Sequence, residues 1–439
     1  MRRRHLLAGI AGTAGAVGVV GAGSLLTQQS SGSYGPIGSV DVDGARELVT
    51  STDGTVAYLA VDDGIATVDL SSPSAPTILA ERRGLLADEA NGPLELLWDI
   101  SVDGDRLLAA GPANGLADSS LHAALLFDVG DPADPQLLDA HRTASPIHNC
   151  HLEDGTAYLT SYSESGNALI LLNASDEQLD EVGRWSPLDV DPTWGDVPIA
   201  LWQLHDVAVQ NGVAYLPYWD AGTYLVDVSD PADPAHLGHI GGQDPATLTA
   251  DSMFELQVNL LTLPGNSHFA EPDESGDLLA VGREAWAVDV GDCVRGTSGG
   301  IDLYDASDPT DVGHLATIDP PQSATPTRSG QFTTAHNFEL RDDRLYSSWY
   351  FGGVKVHDVS DPRSPDQLAW WRDPAVACFW TARSAVPGEQ FVASSAGDAG
   401  GFDDSIQGRV YVFPDRAGNQ SNPPDLTEPP AGADPLPEC

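Results

Sequence analysis

The sequence predicts an all-β fold, a seven-bladed β-propeller of four-stranded antiparallel blades that an N-terminal strand closes into a ring. Three observations predict it. A sequence motif with an Asp-Pro turn recurs along the chain, and a second motif with an Asp-Gly or similar turn precedes each copy. The repeats are about 40–60 residues long, which is typical of propeller blades.

The first motif defines the outer half of each blade. Its clearest copies begin at residues 67, 126, 224, 303 and 355 and read TVDLSSPSAPTIL, LFDVGDPADPQLL, YLVDVSDPADPAHLGHI, LYDASDPTDVGHLATI and KVHDVSDPRSPDQLAWW. A degenerate copy, LILLNASDEQLDEVG, begins at residue 169, and a seventh, GRVYVFPD, lacks the Asp-Pro turn. Short runs of β-branched and aromatic residues favour strands, and Asp-Pro and Asp-Gly favour tight turns. Each repeat therefore predicts four strands, A to D.

Ring closure follows from the two ends of the repeat array. The seventh copy stops after its C strand, whereas residues 34–42, YGPIGSVDV, are similar to the D strands HLGHIGG and VGHLATI. We expect this segment to supply the missing outer strand, because pairing it hides two strand edges that would otherwise be exposed.

The ends of the chain predict three regions. Residues 1–33 begin with Arg3 and Arg4, followed by Leu6, Leu7 and an apolar stretch, and so resemble a twin-arginine export signal or an N-terminal anchor plus linker. Residues 34–413 form the propeller, and residues 414–439 a Pro-rich acidic tail that we expect to be disordered. This organisation predicts an extracellular or cell-surface protein that meets a membrane only through such an anchor.

The chain is strongly acidic. Its 65 acidic and 20 basic residues give a formal net charge of -45. This charge argues against nucleic acid as a ligand, because that requires a basic surface. It favours adaptation to high salt, where self-repulsion is screened; a basic partner is the alternative.

Four cysteines, Cys150, Cys293, Cys378 and Cys439, follow the N-terminal segment. The absence of a CxxC pair argues against a structural zinc site. An exported protein permits disulfides, and four cysteines allow three full pairings. We favour Cys293 with Cys378 as a staple between loops.

Seven copies of a YxVDVSDPxxPxxxG-like motif resemble the LVIVD-repeat family over roughly residues 36–413. That resemblance implies a surface β-propeller and is nearly silent about activity.

A histidine lies ten residues before the equivalent strand-B position in four consecutive blades: His148, His205, His268 and His336. Trp98 takes this position in blade 2, Leu48 in blade 1, and Thr381 or Ala382 in blade 7. The position begins the innermost strand and so surrounds the channel mouth. The histidines could donate hydrogen bonds to neighbouring blades, or they could bind a divalent transition metal such as Fe, Cu, Zn or Ni.

Long, variable loops recur on the same face of the predicted ring, whereas the other turns are short and uniform. Long loops commonly carry binding function. Aromatic and charged residues beside them are the candidate ligand-binding set, although such aromatics can also fill space between blades: Trp98, Asp99, Tyr162, Trp219, Arg283, Trp349 and Tyr350.

The sequence contains no nucleophile elbow, phosphate loop or HExxH motif. The leading hypothesis is a non-enzymatic binding module that uses its loop-rich face for a protein, a glycan or a small ligand. The alternative is a metal-dependent oxidoreductase with a histidine-ligated metal at the channel mouth. A purely structural surface-layer component would need no pocket.

Overall fold

Seven antiparallel sheets arranged as a ring make up the computed structural model, which describes residues 33–115, 120–163, 166–250, 252–397, 406–428 and Cys439. The predicted export signal or anchor plus linker, residues 1–33, lies outside the described residues except for Ser33. No described helix has the length and apolar character needed to cross a membrane.

Each blade has four strands in the order A, B, C, D from the channel outward. The first four blades consist of Ala45–Thr50, Val56–Val61, Gly64–Asp69 and Thr77–Arg83; Asp99–Asp103, Arg106–Gly111, Ala123–Asp128 and Gln136–Arg142; Ile147–Glu153, Thr156–Ser161, Leu169–Asn173 and Asp180–Trp185; and Ala208–Gln210, Val213–Pro217, Thr223–Asp227 and Ala235–Ile240. The last three consist of Ser267–Pro272, Leu278–Arg283, Ile301–Asp305 and Gly313–Ile318; Phe338–Arg341, Arg344–Ser348, Val354–Asp358 and Asp366–Trp371; and Phe379–Val386, Gln390–Ser395, Arg409–Pro414 and Gly38–Asp41.

The predicted fold and its ring closure are confirmed. The N-terminal strand Gly38–Asp41 pairs antiparallel with Arg409–Pro414 and is the outer strand of blade 7. Strand A of blade 7 also packs against strand A of blade 1, so the inner strands contact one another around the ring.

A glycine in strand D packs against the Asp-Pro turn of the next blade, which explains why the repeat motif contains both the glycine and the Asp-Pro turn. A Cβ on Gly238 of blade 4 would lie 1.9 Å from the carbonyl oxygen of Pro309 in blade 5. Gly38 has the same relation to Pro73, with a Cβ–oxygen distance of 2.2 Å. The closing strand therefore docks on blade 1 as the D strands of other blades dock on their neighbours.

Apolar side chains from adjacent sheets form the core between blades. Leu59 and Val68 of blade 1, for example, pack with Val392 and Val412 of blade 7, and all four are fully buried. Burial of such side chains stabilises the fold by roughly 1.5–3 kcal/mol each.

The acidic tail departs from the prediction in its described part. Gly418–Asn419 form a short strand parallel to Asp366–Trp371, and Leu426 is buried. Residues 415–428 thus lie against the propeller, because backbone pairing and an apolar anchor offset the cost of ordering them.

The predicted disulfide is wrong. Cys293 bonds to Cys439, with a Cα–Cα distance of 5.2 Å, and not to Cys378. The amide of Cys439 donates a hydrogen bond to the carbonyl of Val294, which places the last residue of the tail beside the blade-5 loop. Cys150 and Cys378 are both buried.

The long connections carry the remaining elements. Helix α1, Met253–Leu261, lies between blades 4 and 5, and a small hairpin, Val288–Asp289 with Val294–Arg295, lies between strands B and C of blade 5. Four 3-10 turns occupy the connections around blade 4: Pro187–Asp189, Pro192–Asp196, Ile199–Trp202 and Pro245–Thr247.

Candidate functional site

The channel mouth is surrounded by residues at the start of strand A. In blades 1, 3, 5 and 7 the register between strands A and B shifts at this point, which indicates a β-bulge. A bulge changes the direction of a side chain relative to the regular alternation of a strand. Histidine or another large residue at the bulge is thereby placed over the channel.

Seven side chains, one from each blade, form a closed ring at this mouth, which we call the mouth ring. Neighbouring ring centroids lie 4.0–5.9 Å apart around six aromatic members, and the Arg46 guanidinium carbon lies 5.8 Å from the Trp98 ring and 5.6 Å from the Trp380 ring. In blade order the members are Arg46, Trp98, His148, His205, His268, His336 and Trp380.

The histidines therefore share one arc, as their common spacing predicted, but two other assignments were wrong. Blade 1 supplies Arg46 and not Leu48, which is fully buried in the core. Blade 7 supplies Trp380 and not Thr381 or Ala382. A fixed count from strand B failed in blade 1 because its A–B turn is longer: Thr50 pairs with Ala57, whereas Glu153 pairs with Thr156 in blade 3. In blade 7 a second bulge, between Ser384 and Val386, adds a residue to strand A.

Two of the histidines are anchored to neighbouring blades. Nδ1 of His148 donates a hydrogen bond to the carbonyl of Ala113 at 2.8 Å, and Nδ1 of His336 donates one to the carbonyl of Trp380 at 2.5 Å. A carbonyl can only accept, so each Nδ1 carries the proton and each Nε2 keeps its lone pair. This agrees with the structural interpretation of the histidines and also leaves a nitrogen available for coordination.

All four imidazoles are neutral near pH 7. Burial lowers the pKa of His148 to about 4 and that of His336 to about 3. Burial, reinforced by the neighbouring histidines, also holds the pKa values of His205 and His268 well below the ordinary value. Neutral imidazole is the form that binds metals.

Glu284 joins the mouth ring from the loop after strand B of blade 5. Its Oε2 lies 3.3 Å from Nε2 of His268, and its Oε1 lies 4.0 Å from Nε2 of His336. Tyr350 donates a hydrogen bond to Oε1 at 2.5 Å. Burial raises the pKa of Glu284 to about 7, and the Tyr350 bond and the charge of Arg328 partly offset that rise.

Two aromatic residues with left-handed backbone conformations stand beside the histidines. Trp219 has φ 46° and Tyr350 has φ 48°, and both lie in the tight turn between strands B and C of their blades. Each is fixed by backbone hydrogen bonds to the first residue of the next blade, Ser267 and Phe379 respectively. Left-handed conformations of non-glycine residues cost of order 1 kcal/mol or more and concentrate at functional sites.

The six aromatic members of the mouth ring line a cavity of ≈ 250 Å³; Arg46 is not among its lining residues. Helix α1 covers one side, since Leu260 and Leu261 line the cavity and the Leu260 carbonyl accepts a hydrogen bond from Nε1 of Trp219. The other lining residues are Trp98, Asn114, His148, Gln203, His205, Trp219, His268, Glu284, Trp286, Arg328, His336, Tyr350 and Trp380.

Five buried ring nitrogens in this lining have no hydrogen-bond partner among the described residues: Nε1 of Trp98 and of Trp286, Nδ1 of His205, and both nitrogens of His268. The 3.3 Å contact between His268 and Glu284 lacks the geometry of a hydrogen bond. Buried polar groups in folded proteins are normally bonded to protein, ordered water or a ligand. The cavity therefore has the chemistry of a site for a polar occupant.

Three of the seven predicted ligand-binding residues line this cavity: Trp98, Trp219 and Tyr350. Tyr162 and Trp349 are not among the lining residues; Trp349 is fully buried, and its Nε1 donates to Oγ of Ser347. Arg283 instead pairs with Asp302 at 2.8 Å, beside a different surface depression.

Asp99 lies below the mouth ring, inside the channel, where it accepts a hydrogen bond from the amide of Cys150. Burial, with repulsion from Glu47 and Asp206, raises its pKa. The positive charge of Arg383 partly compensates the negative charge of these acidic residues; its guanidinium lies 3.0 Å from the carboxylate of Glu47. Asp99 therefore belongs to the channel wall and does not line the cavity at the mouth ring.

The sequence analysis missed several residues of the cavity. Glu284, Trp286 and Trp380 are not among the site residues predicted from the sequence. Trp380 occupies the same position as the histidines and could have been found by allowing for a bulge in blade 7. Nothing in the repeat pattern indicates Glu284, Arg328 or helix α1, because they belong to connections that differ between blades.

Comparison with known proteins agrees with this architecture. Residues 51–81 and 203–240 match the LVIVD repeat. No curated protein matches the chain in sequence.

Two solved propellers share the fold. The β-propeller domain of Cps50 (Swd1) from Myceliophteria thermophila superposes with a TM-score of 0.56 at 10% identity, covering 87% of this chain and 99% of that one. The WD40 repeats of RRP9 give a TM-score of 0.59 at 11% identity, with the same coverage of 87% and 99%. At such identities the likeness concerns the fold alone. The protein is a seven-bladed β-propeller that carries LVIVD repeats.

Proposed function

We propose that the protein is a binding module that takes a small polar or aromatic ligand into the cavity over the mouth ring. The observation that carries this proposal is the set of five buried, unpartnered ring nitrogens that belong to residues lining one cavity. A purely structural component would bury apolar atoms there, because an unpartnered buried polar group costs about 1–3 kcal/mol.

The lining also fits a small organic molecule. Aromatic faces from Trp98, Trp219, Trp286 and Trp380 supply apolar contact, and the histidine nitrogens supply a few oriented polar groups. Small-molecule sites in proteins have this composition. Trp219 and Tyr350 are held rigidly by the next blade, so the cavity is formed before ligand arrives.

Action outside the cell is part of the proposal. It rests on the twin-arginine-like start of the chain, and the bond between Cys293 and Cys439 supports it. Disulfides form and persist mainly in oxidising compartments.

A plugged cavity tests the binding function. Leu260→Trp on helix α1 should fill the space, whereas Met253→Trp on the exposed side of the same helix (79% exposed) is the matched control. Melting temperatures would be measured in high salt with three probes: neutral monosaccharides, small monocarboxylates and indole. We expect at least one probe to raise the melting temperature of the wild type and Met253→Trp, through binding to the folded state. An equal rise in Leu260→Trp, or no rise with any probe, would contradict the proposal.

A metal-dependent oxidoreductase is the second candidate function. The specific observation that favours it is the proximity of His205, His268 and Glu284, whose potential ligand atoms lie within 4.8 Å of one another. Its first requirement is a metal site.

A further inference from the structure

We infer that His205, His268 and Glu284 form a site for a divalent transition metal, with an exchangeable coordination position open to the cavity. The inference rests on the proposed binding function, because it assigns a first ligand to the same cavity. It also replaces the four-histidine set predicted from the sequence with two histidines and a carboxylate.

Geometry is the first argument. The ligand atoms of the three residues lie within 4.8 Å of one another, and His268 Nε2 and Glu284 Oε2 are already 3.3 Å apart. Ligands bound at about 2.0–2.2 Å from one metal lie roughly 3–3.5 Å from each other. Small rotations of the side chains therefore suffice to bring all three to bonding distance.

The unmet bonding capacity of His268 is an independent argument. His268 is 1% exposed, and neither of its nitrogens has a hydrogen-bond partner among the described residues. His205 Nδ1, also buried, lacks one as well. An imidazole beside a buried carboxylate has a ring lone pair that a cation would use, whereas Nδ1 of His148 is already bonded to a carbonyl.

Neighbouring groups orient the carboxylate. Tyr350 donates its hydroxyl proton to Oε1 of Glu284, which leaves Oε2 on the side of His268. Metal-ligating carboxylates and histidines are commonly held by such outer hydrogen bonds. His148 and His336 flank the site with their Nε2 lone pairs, at ring-centroid distances of 4.1 Å from His205 and 4.8 Å from His268 respectively.

The donor set defines the class of metal. Two imidazoles suit Zn, Fe, Cu or Ni, and one carboxylate keeps the site compatible with Zn or Fe. Three protein ligands with a free position are typical of catalytic and not of closed structural sites. The free position would face the cavity that Trp219 and helix α1 border.

Cobalt binding tests the site. Untagged full-length protein, stripped of metal with EDTA in high salt, would be titrated with Co²⁺, and visible d–d absorption and calorimetry would give coordination and stoichiometry. We expect one Co²⁺ per wild-type chain. His268→Ala and Glu284→Gln should each weaken binding by about 100-fold or more.

A buried histidine away from the cavity supplies the matched control. His357 is 5% exposed in strand C of blade 6 and does not line the cavity. His357→Ala should bind Co²⁺ as the wild type does, and circular dichroism would establish that each variant is folded. Glu284→Gln is nearly isosteric and remains informative if His268→Ala does not fold.

Two results would overturn the inference: no stoichiometric Co²⁺ in the wild type, or equal affinity in folded Glu284→Gln. The organic probes would be repeated on the metal-free protein. Binding of an organic probe without any Co²⁺ binding would refute the metal site alone. If no organic probe raises the melting temperature of the metal-free wild type, the proposed binding function is refuted, whatever the result with Co²⁺.

Discussion

Contact between Gly238 of blade 4 and the Asp-Pro turn of blade 5 gives a quantitative prediction. In Gly238→Ala the new Cβ would lie 1.9 Å from the carbonyl oxygen of Pro309. A carbon–oxygen contact below about 3.0 Å is not tolerated, so strand and turn must separate by more than 1 Å. Because both atoms belong to or adjoin the backbone, no side-chain rotation relieves the clash. Overpacking of this kind costs typically about 1–3 kcal/mol, and the rigid turn places this site at the upper end.

Urea unfolding in high salt, followed by circular dichroism, would measure this loss. Gly313→Ala is the matched control, because Gly313 also lies in a D strand and its Cβ would have no neighbour within 4 Å. We expect a loss of about 3 kcal/mol in Gly238→Ala and less than about 0.5 kcal/mol in Gly313→Ala. Equal stability of the two variants would refute the argument that this contact fixes the spacing of the blades.

Three further predictions concern charge and the tail. Burial raises the pKa of Glu271 to about 8 despite nearby Arg383, so the folded state keeps a proton that the unfolded chain releases above about pH 4.5. Its contribution to stability therefore falls from pH 5 to pH 8, and Glu271→Gln should reduce that fall by on the order of 3 kcal/mol in urea titrations at the two pH values. An unchanged pH dependence in the variant would contradict this. Replacing both Cys293 and Cys439 by serine opens a link of sequence separation 146 and should lower the free energy of unfolding by up to about 5 kcal/mol; a reducing agent without effect on the wild type would argue otherwise. The net charge of -45 should unfold the protein reversibly below roughly 0.5 M salt, as followed by circular dichroism. The same melting temperature at about 50 mM and in molar salt would exclude it.

Much of the fold was predictable because the repeat carries its own contacts. The repeat motif with Asp-Pro and glycine encodes the turn, the outer strand and the packing of that strand on the next blade, as Gly38 and Gly238 show. The same logic predicted that residues 34–42 complete blade 7, and the pairing of Gly38–Asp41 confirms it. The tail was not predictable in this way, since its strand Gly418–Asn419 has no counterpart in the repeat.

The candidate site was predictable only in part. Equal spacing from strand B identified the four histidines as neighbours, because equivalent positions in adjacent blades lie around one axis. The same count failed for Arg46, where the turn between strands A and B is longer, and for Trp380, where a second bulge lengthens strand A.

The sequence by itself determined the number of blades, the closure of the ring and the histidine arc, because each depends on a pattern that recurs with a fixed period. Only the tertiary structure decided that Glu284 meets His268, that helix α1 covers the cavity, and that Cys439 bonds to Cys293. Each of these contacts involves a residue from a connection or tail segment that occurs once in the chain. Their positions depend on how each loop packs over the ring, and no local propensity or spacing encodes that packing.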